Sequence, residues 1–254
     1  MGETKFDLTR HPIKKGEFLP TQSNPEKNID LPVEGIQETQ KKAKEFAEEF
    51  EKAPEGTVFW ALTSNAPRTQ EARFIFDEEL KYIAEKSGAL VIDLSGKMPD
   101  NSLAKEIEKN KSKKIILING PVHSGLGIYD YNIEEYSKLM DEKGSEEKVI
   151  SDWSNDPEIS KKIGVDYNKV AEGFEKMLDE IENISKDILP NREIWVKGIG
   201  HSGEIEVGLA SYAKKTSAEI IEKTGGKLIE TMESAHITIK PDGERKIEYR
   251  GQIL

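Results

Sequence analysis

The sequence predicts a three-layer α/β/α fold with a mostly parallel central sheet, an inserted lid-like segment and a C-terminal β-hairpin. Three observations carry that expectation. Short apolar runs at 57–63, 90–94, 114–119 and 193–199 alternate with longer amphipathic stretches rich in Lys and Glu, as in βαβ units whose sheet is covered on both faces. The run at 57–63 is apolar almost throughout, as a strand buried on both faces must be. Three runs also end in the same way, in a small-residue loop with a cation and then a helix: Thr9-Arg10-His11, Thr63-Ser-Asn-Ala-Pro-Arg68 and Gly198-Ile-Gly-His201.

Taken in order, residues 5–9 alternate and end at Arg10, and Pro12, Gly16 and Pro20 hold 12–33 in a loop. A loop of that length in a compact domain points to function. A helix is predicted over 33–53, with Ile36, Ala43, Phe46, Ala47 and Phe50 on one face, and Pro54-Glu-Gly56 stops it. After the strand at 57–63, Pro67 suits the first turn of a helix that runs to about residue 86. The runs 90–94 and 114–119 follow as strands, with a short helix at 102–110 between them. Gly120, Pro121, Gly125, Gly127 and Pro157 mark 120–165 as irregular, an insertion folding over the strand ends as a lid. A helix at 166–187 carries Val170, Phe174, Met177, Leu178 and Ile181 at helical spacing. The strand at 193–199 then delivers His201, and another helix covers 204–223. Segments 235–240 and 246–250, joined by Pro241-Asp-Gly243, form a β-hairpin at a sheet edge. The whole of 1–254 reads as a single domain with that insertion.

Composition narrows the function. A net charge of -11 argues against nucleic acid or an anionic membrane as partner, because both demand a broad basic surface. Cysteine is absent, which excludes disulfides, thiolate catalysis and cysteine-bound metals. No apolar run approaches signal-peptide or membrane-spanning length, so a cytoplasmic location is expected. Of 37 basic residues only Arg10, Arg68, Arg73, Arg192, Arg245 and Arg250 are arginine. Lys therefore serves solubility and Arg is held for a forked, permanently charged grip on phosphate or carboxylate, which Lys cannot reproduce.

Open α/β sheets bind ligands at the carboxyl ends of their strands, where Arg10, His11, Arg68 and His201 all fall. Two histidines and two arginines there describe a phosphate pocket. A neutral imidazole attacks phosphorus in line, while two cations and a second imidazole hold the non-bridging oxygens, so no metal is required. The leaving alkoxide needs a proton from a nearby carboxyl group, which then activates water.

Four stretches add a resemblance. Thr9-Arg-His11, Leu31-Pro-Val-Glu-Gly-Ile-Gln37, Thr63-Ser-Asn-Ala-Pro-Arg-Thr-Gln-Glu-Ala72 and Gly200-His201-Ser202 resemble, in order, the motifs of the histidine phosphatase superfamily, which includes cofactor-dependent phosphoglycerate mutases. The resemblance spans residues 5 to about 212. It implies that His11 is phosphorylated, that Arg10 and Arg68 clamp the phosphoryl group, and that His201 completes the pocket, with no metal and no other cofactor. The chain departs from the pattern at Pro12, where the family has Gly, at Ile13-Lys14, and at Glu17, near where many mutases have Asn. The mutase-like branch implies a proton donor shortly after the third strand, where Asp93 is the nearest carboxylate and the expected donor. The acid-phosphatase branch implies an Asp directly after the second histidine, where this chain has Ser202. Glu17 and Glu204 stand as alternatives.

Other conspicuous residues have plainer readings. His123 is expected in a surface loop, His236 within a strand as a structural residue, and Trp60, Trp153 and Trp195 in packing. Arg73 and Arg192 are expected on a helix surface and at a strand edge. Gly120 to Gly127 lacks the Lys-Ser/Thr ending of a phosphate loop. The expected function is a metal-independent phosphomonoester phosphatase acting on a small phosphorylated substrate, with a phosphoprotein also possible. The alternatives are a phosphomutase and a catalytically silent phosphate-ester-binding domain. Substrate identity and oligomeric state stay open.

Overall fold

The apolar runs of the sequence become the strands of one sheet. The computed structural model describes residues 2–12, 31–127 and 131–254. In chain order it shows β1 (Thr4–Arg10), α1 (Val33–Lys52), β2 (Val58–Thr63), α2 (Pro67–Ser87), β3 (Leu90–Asp93), α3 (Asn101–Lys109) and β4 (Ile115–Ile118). Residues 120–165 follow with α4 (Ile133–Lys143), α5 (Glu146–Trp153) and α6 (Pro157–Ile163). The chain returns through α7 (Tyr167–Asn183), β5 (Ile194–Gly200), α8 (Glu204–Tyr212) and α9 (Ser217–Lys223), then β6 (Ser234–Ile239), β7 (Arg245–Tyr249) and β8 (Gln252–Ile253). The strands lie in the order β3-β4-β2-β5-β1-β6-β7-β8. The first five are parallel and the last three antiparallel, giving a mostly parallel sheet between two helical layers.

The pleat divides the core in two. On one face Val58, Trp60, Leu62, Phe6 and Leu8 meet Leu103 and Ile107 of α3, Phe174, Met177 and Ile181 of α7, and Ile205 and Leu209 of α8. On the other, Phe59, Ala61, Ile116, Trp195 and Ile199 meet Ala43, Phe46, Ala47 and Phe50 of α1 and Ala72, Phe76 and Leu80 of α2. Every residue of β2 is buried, which is why its sequence does not alternate. Phe46 centres the second face, its ring 5.0 Å from Phe59, 6.0 Å from Phe76 and 5.8 Å from Trp195. Edge-on pairs of this kind add about 0.5–1.5 kcal/mol each beyond area burial.

The structure corrects the sequence reading in four places. First, 120–165 is not irregular, since it holds α4, α5 and α6. The polar residues there are caps: Asn132, Ser145 and Asp156 accept from the backbone N–H groups of Glu135, Lys148 and Glu158. Helices of two or three turns carry too few apolar positions for a period to register. Those positions still build a core, in which Tyr136, Leu139, Ile150, Trp153 and Ile163 pack with Val170 of α7, Val207 of α8 and Ile221 of α9.

Second, the helix expected over 204–223 is two. Lys214 takes a left-handed φ of 55°, and Thr216 and Glu219 restart the chain as a reciprocal capping box. Third, the C-terminal hairpin is at the sheet edge as expected, with β6 paired to β1, but a further short strand that the sequence reading lacks, β8, adds to β7. Fourth, Arg192 is buried, and its guanidinium donates to the carbonyls of Gly56 at 3.0 Å, Lys111 at 3.2 Å and Ile107 at 3.0 Å. Arg73 likewise donates to the Gly120 carbonyl. Among the described residues no helix is long and apolar enough to cross a membrane.

Arg192→Met would remove three hydrogen bonds from a buried guanidinium to backbone carbonyls, at a cost of about 2–4 kcal/mol. Thermal unfolding followed by circular dichroism is expected to show a Tm lower by roughly 5–10 °C. An unchanged Tm would mean that those carbonyls find other donors.

Candidate functional site

Strand register assembles the site. β1 and β5 pair so that Arg10 lies opposite Gly200, and β2 and β5 so that Thr63 lies opposite Ile199. The residues that follow, His11, His201 and Ser64, therefore emerge side by side at the carboxyl edge of the sheet. Their backbones stay tied at that level: His11 N–H donates to Gly200 O at 2.9 Å, and Ser64 N–H to Ile199 O at 3.1 Å. The two imidazoles are 4.9 Å apart between centroids, and each histidine is only 6% exposed.

Hydrogen bonds fix both rings. His11 Nδ1 lies 2.6 Å from the carbonyl oxygen of Pro12. A carbonyl only accepts, so Nδ1 carries the proton and the lone pair is on Nε2. Arg68 Nη2 is 3.0 Å from His201 Nδ1, and a guanidinium only donates, so His201 accepts there and donates from Nε2 to Ser64 Oγ at 2.8 Å. Ser64 Oγ is 2.9 Å from Thr69 Oγ1, which in turn donates to the Ala66 carbonyl at 2.8 Å. This chain of donors ends on a carbonyl and holds His201 neutral. Sequence reasoning misses the roles of Ser64 and Thr69, for which their spacing across the start of α2 is the available signal.

The two arginines are buried unequally. Arg68, one residue after Pro67 at the head of α2, is 5% exposed. Burial pushes its guanidinium down to about 10, Glu204 opposes that and Arg10 adds to it. It remains a cation at neutral pH. Arg10 Nη1 donates to the Ile229 carbonyl at 2.8 Å. Among the described residues the Nε atoms of Arg10 and Arg68 are buried without a hydrogen-bond partner. Unpaired buried donors on two neighbouring cations are what an anion with several acceptor oxygens would satisfy.

Two glutamates at the head of α8 surround this group. Glu206 is fully buried, and its carboxylate accepts from Gly203 N–H at 2.8 Å and from Ile229 N–H at 2.6 Å. The Ile229 residue is thus held through its N–H by Glu206 and through its carbonyl by Arg10. The sequence reading missed Glu206, though a Glu two residues into a predicted helix is a capping signal. Glu204 is 8% exposed and accepts from the Tyr131 hydroxyl at 3.0 Å. Burial raises its carboxyl to about 8, Glu146 adds to the rise, and Tyr131 and Arg68 oppose it.

The structure does not bring Asp93 to this group. It ends β3 at the far edge of the sheet, with three strands between it and β1. That separation is roughly 19 Å at the usual strand spacing. Its exposed carboxylate accepts from Ser95 N–H at 2.7 Å and from Asn119 Nδ2 at 2.9 Å, and these bonds hold it below the usual range. Glu17, Ile13, Lys14 and Lys15 lie outside the described residues. His123 is buried rather than in a surface loop, its Nδ1 accepting from Gly125 N–H at 2.9 Å and its Nε2 lying 3.1 Å from Glu180. His236 sits on β6 with its Nδ1 2.5 Å from Asp7.

No family profile matches the chain, and no curated protein matches it in sequence. Solved structures do match. Mycobacterial glucosyl-3-phosphoglycerate phosphatase is 12% identical with a TM-score of 0.54, over 98% of this chain and 100% of that one. A protein described as mycobacterial hydrolase 2 is 11% identical with a TM-score of 0.52, over 100% of this chain and 93% of that one. A second, mycobacterial hydrolase 1, is 11% identical with a TM-score of 0.51, over 99% and 100%. The likeness is one of fold, and the chain has the fold of the histidine phosphatases, the family its motifs resemble.

Glu204 makes stability depend on pH. A carboxyl whose folded pKa is raised from 4.5 to about 8 binds its proton more tightly folded than unfolded. Its stabilisation is fully present below pH 4.5 and is lost as pH rises through 8. Denaturant titrations of Glu204→Gln are expected to lack that part of the decline between about pH 5 and 8. Parallel pH profiles for the wild type and the variant would show that the carboxyl is not held protonated.

Proposed function

We propose that the protein is a phosphomonoester phosphatase that works through a phosphohistidine on His11. The observation that carries this reading is the pair of arginines, Arg10 and Arg68, whose buried Nε donors have no hydrogen-bond partner, beside two imidazoles at the ends of β1, β2 and β5. The fold likeness to a mycobacterial phosphatase supports it.

In the reaction His11 Nε2 attacks phosphorus along the line of the ester bond, with Nδ1–H held on the Pro12 carbonyl so that the nucleophilic lone pair is in place. Arg10 and Arg68 take the non-bridging oxygens, whose charge is redistributed in the transition state. His201 Nδ1 now receives a bond from Arg68, and when Arg68 turns to phosphate the neutral ring is left to be protonated and to join the clamp.

The test is phosphate release from a panel of phosphomonoesters, including sugar-linked phosphoglycerates, with EDTA present. The wild type is expected to turn over at least one ester, and His11→Ala to lose about 10³-fold or more. Arg68→Ala should lose about 10²–10³-fold. Turnover that survives in His11→Ala would overturn the reading.

A further inference from the structure

On the phosphatase reading, the leaving alkoxide must gain a proton at the moment its bond to phosphorus breaks, and the expected donor, Asp93, is on the far edge of the sheet. The geometry at the head of α8 supplies another. Glu204 begins that helix three residues after His201, is buried, and lies close enough to Arg68 for the guanidinium and carboxyl to perturb one another. Its orientation is held from the lid. The Tyr131 hydroxyl donates to it, and the Tyr131 ring packs 5.7 Å from Tyr136 and 6.1 Å from Trp153. Tyr136 in turn donates to Glu146 at 3.0 Å, at the start of α5. Glu204 is thus a buried carboxyl near the phosphate clamp, aligned by the Tyr131 hydroxyl and influenced by a second carboxyl, Glu146, which the Tyr131–Tyr136 ring pair connects to it.

Resting on that reading, we propose that Glu204 is the acid–base catalyst of the reaction and that Glu146, carried on the lid, sets the pH at which it works. In the first step the His11 Nε2–P bond forms, the ester P–O bond breaks, and the Glu204 carboxyl gives its proton to the departing oxygen. In the second, the Glu204 carboxylate takes a proton from water as the water oxygen bonds to phosphorus. The P–N bond breaks, its electron pair returns to Nε2, and Glu204 is again protonated. The charges and titratable groups facing Glu204 are Tyr131 ahead of α4, Tyr136 on α4, Glu146 on α5 and Arg68 on α2, with Arg10 behind Arg68. Glu146 is the negative one, and its charge keeps the proton on Glu204 to higher pH.

The experiment compares the wild type, His11→Ala, Glu204→Gln and Glu146→Gln on an alkyl phosphate and on 4-nitrophenyl phosphate, whose phenolate leaves without a proton. Glu204→Gln is expected to lose about 10²–10⁴-fold on the alkyl ester. With the aryl ester it should still release one nitrophenolate per chain and accumulate an acid-labile adduct on His11, because only hydrolysis then needs the carboxylate. Glu146→Gln should move the alkaline limb of the pH–rate profile to lower pH, a readout that loss of packing alone would not shift. Alkyl turnover in Glu204→Gln within a few-fold of wild type would overturn the assignment. So would equal loss on both esters with no adduct, or an alkaline limb unmoved in Glu146→Gln. A wild type that releases no phosphate from either ester, or whose turnover survives in His11→Ala, would overturn the phosphatase reading itself, and the His11→Ala arm tells that failure from the others.

Discussion

The parallel pairing of β1 with β5 is the constraint on which the rest depends. It sets Arg10 level with Gly200, and so brings the residue after each strand to the same edge. A slip of one position would turn every side chain of β1 to the opposite face and separate the two imidazoles. The pairing is protected where the strands cross most closely: a Cβ added at Gly198 would come within 2.7 Å of the Phe6 ring, so only glycine lets that ring lie over β5. Phe6 and Leu8 bury one face of the same strand whose end carries Arg10 and His11. The core contacts of β1 and the placement of its terminal residues are one specification.

The pocket gathers positive charge in a chain that is strongly acidic overall. Arg10 and Arg68 repel each other across a region of low dielectric, and the groups around them are neutral by arrangement: two imidazoles with assigned tautomers, a proline carbonyl and a carboxyl that burial keeps protonated. Glu206 is the nearest neutralising group on the far side of Arg10, and it reaches that arginine through the Ile229 residue rather than by direct contact. The fold therefore tolerates the repulsion at the one place where an incoming anion relieves it.

Much of this was legible in the sequence, for identifiable reasons. His11, Arg10, Arg68 and His201 follow apolar runs, so the strand-end rule places them together once the sheet is known to be parallel. Asp93 follows such a run as well, but the rule is silent on strand order, and β3 proved to be the edge strand farthest from β1. Helices α4, α5 and α6 are not legible in the sequence because each is short and is packed against α7, α8 and α9, so that its apolar residues make sense only in tertiary context. Arginine is scarce, but its forked grip is not reserved for the candidate site. Arg192, Arg73 and Arg250 do use the forked grip, but on backbone carbonyls, where a geometry made for phosphate serves equally well.

Arg250 extends that point to the making of the protein. Its guanidinium pairs with both oxygens of Glu233 at 2.7 Å and donates to the carbonyls of Thr224, Lys227 and Leu228. The loop so gathered is the one whose Glu233 carbonyl accepts Arg10 N–H and whose Ile229 carbonyl accepts the Arg10 side chain. Arg10, at the end of β1, is thus held by a loop that Arg250 pins. As the chain is made, β2 can pair with β4 early, but β1 must wait for β5 and β6, and Arg10 for residue 250. The candidate pocket is consequently closed only after β6 and β7 have joined the sheet.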